Sequence, residues 1–195
     1  KKWFFGHYHD NKNVNAEDGD DVGTMEYAEK NPMSYILGSS TDSYDWLYGA
    51  HKSDLWSAEQ KSVNDPCPRG WRVPDSNVFE AFDIDENEDA AAWGDVSNMY
   101  GWHLVDKATG VKMFMPAAGR RSFETGALTN VNDYGYDNVP RPWIGYYWTA
   151  TAGESNKSNS LFFDLNTTRA VNNRYEGVKA MYRANGMQVR CVREN

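Results

Sequence analysis

Asp65-Pro66-Cys67-Pro68-Arg69-Gly70-Trp71-Arg72-Val73-Pro74 is the stretch whose reading decides the fold. Pro66 and Pro68 fix φ on either side of Cys67, Gly70 admits a tight turn, and Trp71-Arg72-Val73 reads as a short extended piece. Asp75 or Ser76 can then cap a helix running to about Phe82, with Val78, Phe79 and Phe82 on one apolar face. The acidic residues 83–89 end that turn, and Ala90-Ala91-Ala92-Trp93 reads as another short helical piece.

Downstream the pattern changes to strands and loops. Trp102-His103-Leu104-Val105 and Val111-Lys112-Met113-Phe114-Met115 flank a polar connection ending in Gly110, which is a hairpin signal. Pro116-Ala117-Ala118-Gly119-Arg120-Arg121 follows, and then a long Gly-, Asn- and Asp-rich loop over residues 125–142. Further strand candidates are Tyr146-Tyr147-Trp148-Thr149-Ala150, Ser160-Leu161-Phe162-Phe163-Asp164-Leu165 and Met187-Gln188-Val189-Arg190-Cys191-Val192.

Upstream, residues 1–62 lack sustained periodicity. Trp3-Phe4-Phe5 and His7-Tyr8 have strand composition, and the polar run over residues 10–21 reads as a loop. A short helix is expected over residues 24–30, stopped by Asn31-Pro32 because the residue before proline avoids the helical region. Ser43-Tyr44-Asp45-Trp46-Leu47-Tyr48 and Asp54-Leu55-Trp56 set aromatics among polar residues, too aromatic for a linker. The division expected is an irregular arm, 1–62, packed on a main α+β domain, 63–195.

The bulk properties limit the function classes. The chain has 195 residues, enough for one domain with an elaborated arm and a sizeable core. Aromatic residues reach 14%, with 8 Trp and 12 Tyr, and suit both a loop-rich core and an adhesive surface. A net charge of −8 repels phosphate backbones, so nucleic acid is not an expected partner. The negative mean hydropathy predicts a soluble protein. No apolar run approaches the roughly 20 residues that span a bilayer, so no membrane insertion is expected. The start at Lys1-Lys2-Trp3 carries no signal-peptide pattern, so any export signal or lipid anchor is expected upstream. The two cysteines, 124 positions apart, fit no CxxC zinc or redox motif. On count alone they are either two buried thiols or one bridge.

Four motifs taken in order resemble a known family. They are the 65–74 stretch, Pro116-Ala117-Ala118-Gly119-Arg120-Arg121, Gly145-Tyr146-Tyr147-Trp148-Thr149-Ala150-Thr151 and Val189-Arg190-Cys191-Val192-Arg193. Their order and spacing over about 130 residues are similar to those of the Fibrobacter succinogenes major paralogous domain of Bacteroides-type surface proteins. Residues 1–62 are covered only loosely. The resemblance implies a C-type-lectin-like fold, related to that of the formylglycine-generating enzymes, with short antiparallel sheets, one or two helices and long loops. It also implies a disulfide between Cys67, before the first helix, and Cys191, in the last strand, and hence an oxidising, extracytoplasmic setting. As scaffold, Trp71 and Trp148 are expected in the core, and Gly119 and Gly145 at sharp reversals.

The chemical signatures are sparse. Neither the Glu-Pro-Asn nor the Gln-Pro-Asp loop of calcium-dependent lectins occurs, nor does a Trp-Asn-Asp strand. Asn11-x-Asn13-x-Asn15 and Asp85-x-Asn87-x-Asp89 look like calcium-loop fragments, but both lack the turn glycine and the closing glutamate. His7-x-His9 has no ligand cluster around it, so no metal or cofactor is expected. No Ser-His-Asp signature or nucleophile elbow is present, both cysteines take structural positions, and no catalytic residue is assigned. The expected binding surface is the loop over residues 130–147 with the loop over residues 166–178. The first carries Asp133, Tyr134, Tyr136, Asp137, Asn138, Arg141 and Trp143; the second carries Asn172, Asn173, Arg174 and Tyr175. Rings stack on sugar faces, Asp, Asn and Arg bond hydroxyls, and Tyr, Trp and Arg also anchor protein interfaces. The functional expectation is a cell-surface recognition module for a glycan or a protein. The alternatives are a structural module of a larger envelope or fimbrial protein and an enzyme on a formylglycine-generating-enzyme-like fold.

Overall fold

A computed structural model describes residues 13–18, 21–84, 101–129, 133–134, 140–141, 144–164 and 175–194. Short, mostly antiparallel strands with few helices give an α+β or mainly β architecture. The first third of the chain has strand β1 (Asn13–Asn15), helix α1 (Met25–Lys30) and strand β2 (Tyr35–Leu37). A 3-10 turn over Ser40–Asp42 follows. Next come β3 (Trp71–Arg72), a 3-10 turn over Ser76–Ala81, and a meander of β4 (Phe82–Ile84), β5 (Gly101–Asp106) and β6 (Lys112–Pro116). Two small ladders, β7 (Arg120–Arg121) with β8 (Leu128–Thr129) and β9 (Asp133–Tyr134) with β10 (Pro140–Arg141), lead to the main sheet. That sheet joins β11 (Ile144–Ala152), β12 (Lys157–Asp164) and β13 (Tyr175–Tyr182), and β14 (Val192–Arg193) closes the chain on β3.

The capping chemistry places the helical pieces. The Thr24 hydroxyl accepts from the Tyr27 amide at the start of α1, and Asn31 ends it. Asp75 accepts from the Asn77 amide at 2.7 Å, so it caps a turn that stays 3-10 and stops one residue short of Phe82, which enters β4. Phe79 from this turn is buried in the main core with Leu104, Met115, Tyr147, Leu161 and Phe163. Residues 144–149 of β11 and 160–164 of β12 are buried without a break, as expected of strands covered on both faces.

Asp65 explains why the deciding stretch holds its shape. Its carboxylate accepts from the Cys67 amide at 2.8 Å and the Val73 amide at 2.9 Å, while the Lys61 ammonium lies 2.9 Å from the same group. One side chain thus fixes both ends of the turn in which Gly70 has φ +81°. Cys67 and Cys191 are bonded, with Cα atoms 5.9 Å apart. Cys191 sits immediately before β14, whose pairing with β3 brings the chain end to this turn.

Several expectations need correction. Asn13–Asn15 is a strand and not part of a polar loop, because Val14 is buried and pairs in parallel with Ile36 of β2. Trp71 is 44% exposed and outside the core: β3 is a two-residue strand whose Trp71 pairs with Arg193 near the chain end, and full cover begins beyond it at Val73 and Pro74. Gly145 makes no reversal. It lies mid-strand opposite Phe163, where any Cβ would enter that ring's van der Waals envelope. Gly119, at φ +60°, does turn the chain, and its amide donates to the Ile144 carbonyl at 2.8 Å. The 187–192 segment forms only an isolated parallel bridge, Gln188 with Tyr147 on the β11 edge away from β12, before β14. The 125–142 loop carries three short strands, β8, β9 and β10.

Residues 13–62 have a small core of Val14, Ala16, Val22 and Ile36 and touch the rest of the chain at several points. The Gly38 amide donates to the Phe123 carbonyl at 2.9 Å, and the Tyr35 hydroxyl to the Ala184 carbonyl at 2.5 Å. The rings of Tyr44, Phe123 and Tyr182 meet with centroids 4.7–4.9 Å apart, and the Arg121 guanidinium lies 4.0 Å over Tyr35. The strand candidates over 3–8, the His7/His9 pair, the 85–89 acidic run and the 90–93 helical piece lie outside the described residues.

Candidate functional site

Backbone pairing gives the expected loop surface a frame. In the β9–β10 ladder Asp133 pairs with Arg141 and Tyr134 with Pro140, which brings the two ends of the 135–139 connection side by side. Tyr175 belongs to β13 and not to a loop: residues 175, 177 and 178 pair with β12, Tyr175 opposite Phe163, with a register shift at Glu176. Tyr136, Asp137, Asn138, Trp143, Asn172, Asn173 and Arg174 lie outside the described residues.

A second feature was not singled out as a site by sequence. A cleft of about 550 Å³ opens between residues 25–66 and the ends of β11 and β12. Trp148 and Thr149 from β11 and Ser158 from β12 line it on one side, Trp46 and Trp56 on the other. Trp148 is buried, whereas Trp46 and Trp56 are half-buried. The Trp56 ring N–H donates to the Asn64 carbonyl at 3.0 Å, which fixes the indole against its own loop.

Arg183 and Asp45 form the buried charged part of the lining, beside the exposed Glu29 and Lys52. The Arg183 side chain is only 7% exposed and Asp45 1%, with Nη1 and Oδ2 3.2 Å apart. Arg183 also donates to the Lys52 carbonyl at 3.1 Å and the Ser53 hydroxyl at 2.8 Å. These bonds hold the 45–53 segment to the end of β13. Asp45 Oδ1 accepts from the Leu47 amide, and Oδ2 lies 3.3 Å from His51 Nδ1, while His51 Nε2 lies 2.7 Å from Asp42 Oδ1. His51 itself has φ +44°, so this carboxylate–imidazole–carboxylate array stabilises a backbone conformation that a non-glycine residue rarely adopts.

Mostly apolar walls with a few fixed polar groups are the chemistry of a small-ligand cleft. No group of three or more potential metal ligands occurs among the described residues. Of the calcium-loop fragment at 11–15, Asn13 donates its side-chain amide to the Thr125 carbonyl and Asn15 bonds Asp18. Two phenols are perturbed away from the cleft. Burial pushes Tyr35 up to about 12 against the opposing charge of Arg121, and burial likewise raises Tyr147, whose hydroxyl donates to the Pro116 carbonyl at 2.7 Å.

Among the described residues no helix is long and apolar enough to cross a membrane, and the Cys67–Cys191 bond belongs to an oxidising environment. No protein-family model matches the chain, and neither does any curated protein or solved structure.

Proposed function

We propose that this chain is a cell-surface recognition module that binds a glycan or protein through the loop carrying Asp133, Tyr134, Tyr136, Asp137, Asn138, Arg141 and Trp143, with Arg174 and Tyr175 beside it. The motif order set out above supports a C-type-lectin-like scaffold of the Fibrobacter succinogenes major paralogous type, on which long loops form the ligand surface. The observation that carries the reading is the β9–β10 ladder. It supports a loop whose two flanking residues, Tyr134 and Pro140, are held side by side by backbone pairing, so that less entropy is lost on binding. The disulfide supports an extracytoplasmic location.

Binding of the soluble chain to a glycan array, with pull-down from extracellular protein mixtures as a second arm, tests the proposal. Trp143→Ala and Tyr136→Ala are expected to abolish the strongest interactions. If every interaction survives both substitutions, the loop assignment is wrong.

A further inference from the structure

We propose that the cleft lined by Trp46, Trp56 and Trp148 is a separate binding site for an uncharged oligosaccharide. None of its lining residues belongs to the loops invoked above, so the two sites are independently testable.

Charge is the first argument. Glu29 and Asp45 on the lining are matched in number by Lys52 and Arg183, and Asp45 is already paired with Arg183 in a nearly closed environment. The buried pair offers a ligand no unmatched charge, and only the exposed Glu29 and Lys52, screened by solvent, remain to meet an ion. The lining therefore selects a ligand without net charge.

The polar groups then distinguish an uncharged sugar from an uncharged lipid. The side chains of Lys52, Asn64 and Ser158 make no hydrogen bond among the described residues. An acyl chain in the cleft would cover these groups and bond none of them, at the cost of their desolvation. A pyranose presents apolar C–H faces to indoles and a rim of hydroxyls to amide, ammonium and hydroxyl groups. A cleft of about 550 Å³ is within the range that encloses a compact small ligand. Its walls are also held in advance, Trp56 by Asn64 and the 52–53 segment by Arg183, so little side-chain ordering opposes binding.

Tryptophan fluorescence of the intact chain, titrated with a defined panel, tests this. The panel holds neutral gluco-, manno-, galacto-, xylo- and N-acetylglucosamine trisaccharides, acidic oligogalacturonate and sialyllactose, and an uncharged apolar peptide. At least one neutral trisaccharide is expected to give a saturable change that the acidic sugars and the peptide do not. Trp56→Ala should weaken it by about tenfold or more through loss of the stacked ring. Ser158→Trp, which fills the cleft without removing a core side chain, should weaken it similarly, whereas Val111→Ser, at an exposed hairpin position outside both sites, should leave it unchanged. Absence of binding by every neutral sugar, preference for an acidic sugar or the peptide, or an affinity unchanged in both cleft variants overturns the proposal. Sugar binding lost only in Trp143→Ala also overturns it, while leaving the loop reading standing.

Discussion

Replacing Asp65 by alanine tests the physical account of the deciding stretch. The carboxylate is fully covered and accepts from two backbone amides, Cys67 at 2.8 Å and Val73 at 2.9 Å, besides facing Lys61. Alanine leaves both amides without this acceptor in a segment where Cys67 and Val73 are buried. Each orphaned buried amide costs about 1–3 kcal/mol, so the pair should cost about 4 kcal/mol. Lys61 is partly exposed, turns its ammonium to water and adds little. Such a loss is a large share of a typical domain stability of about 5–15 kcal/mol. Urea unfolding with the disulfide intact, followed by tryptophan fluorescence, measures it. Lys61→Met should also be costly, because it leaves the covered Asp65 carboxylate without its counter-charge and the Cys67 carbonyl without its donor at 2.6 Å. A loss below about 1 kcal/mol for Asp65→Ala would refute the reasoning.

Gly145→Ala should destabilise by about 1–3 kcal/mol, because the new methyl meets the buried Phe163 ring; a Gly145→Ala, Phe163→Leu double variant measured by denaturant unfolding should recover part of that loss. Reduction of Cys67–Cys191 should lower stability by about 4–5 kcal/mol on the chain-entropy model for so long a loop, and unfolding curves with and without reductant that coincide would deny it. Stability should also fall at alkaline pH. The unfolded Tyr35 phenol ionises near pH 10, whereas the folded one holds its proton to about 12, so its contribution is full below pH 10 and is lost as pH rises towards 12. Tyr35→Phe should flatten that slope in denaturant titrations across the same pH range.

What the sequence made legible is local. Thr24 and Asp75 cap as their side chains dictate, Asn31 ends α1 before a proline, and the hairpin around Gly110 forms β5 and β6. The aromatic runs at 146–150 and 160–164 lie in adjacent strands of the main sheet, paired Tyr147 to Leu161. What escaped depends on partners distant in sequence. Val14 is buried in a cluster that its parallel pairing with Ile36 helps to build, and Trp71 is exposed on a two-residue ladder whose partner, β14, is the last strand. β13 was hidden by Glu176-Gly177-Val178-Lys179, whose composition is that of a loop until it is laid against β12. The cleft draws on α1, the 45–66 segment, β11, β12 and Arg183, so no local window shows it. Its one legible trace is the interleaving of Trp46 and Trp56 with polar residues.

The central claim is recognition by the loops framed by β9 and β10. Its most direct measurement is glycan-array and pull-down binding by the wild-type chain beside a Tyr136→Ala, Trp143→Ala double variant with the same unfolding curve. The account predicts a saturable wild-type interaction that the double variant loses. An interaction of equal strength in both proteins would contradict it.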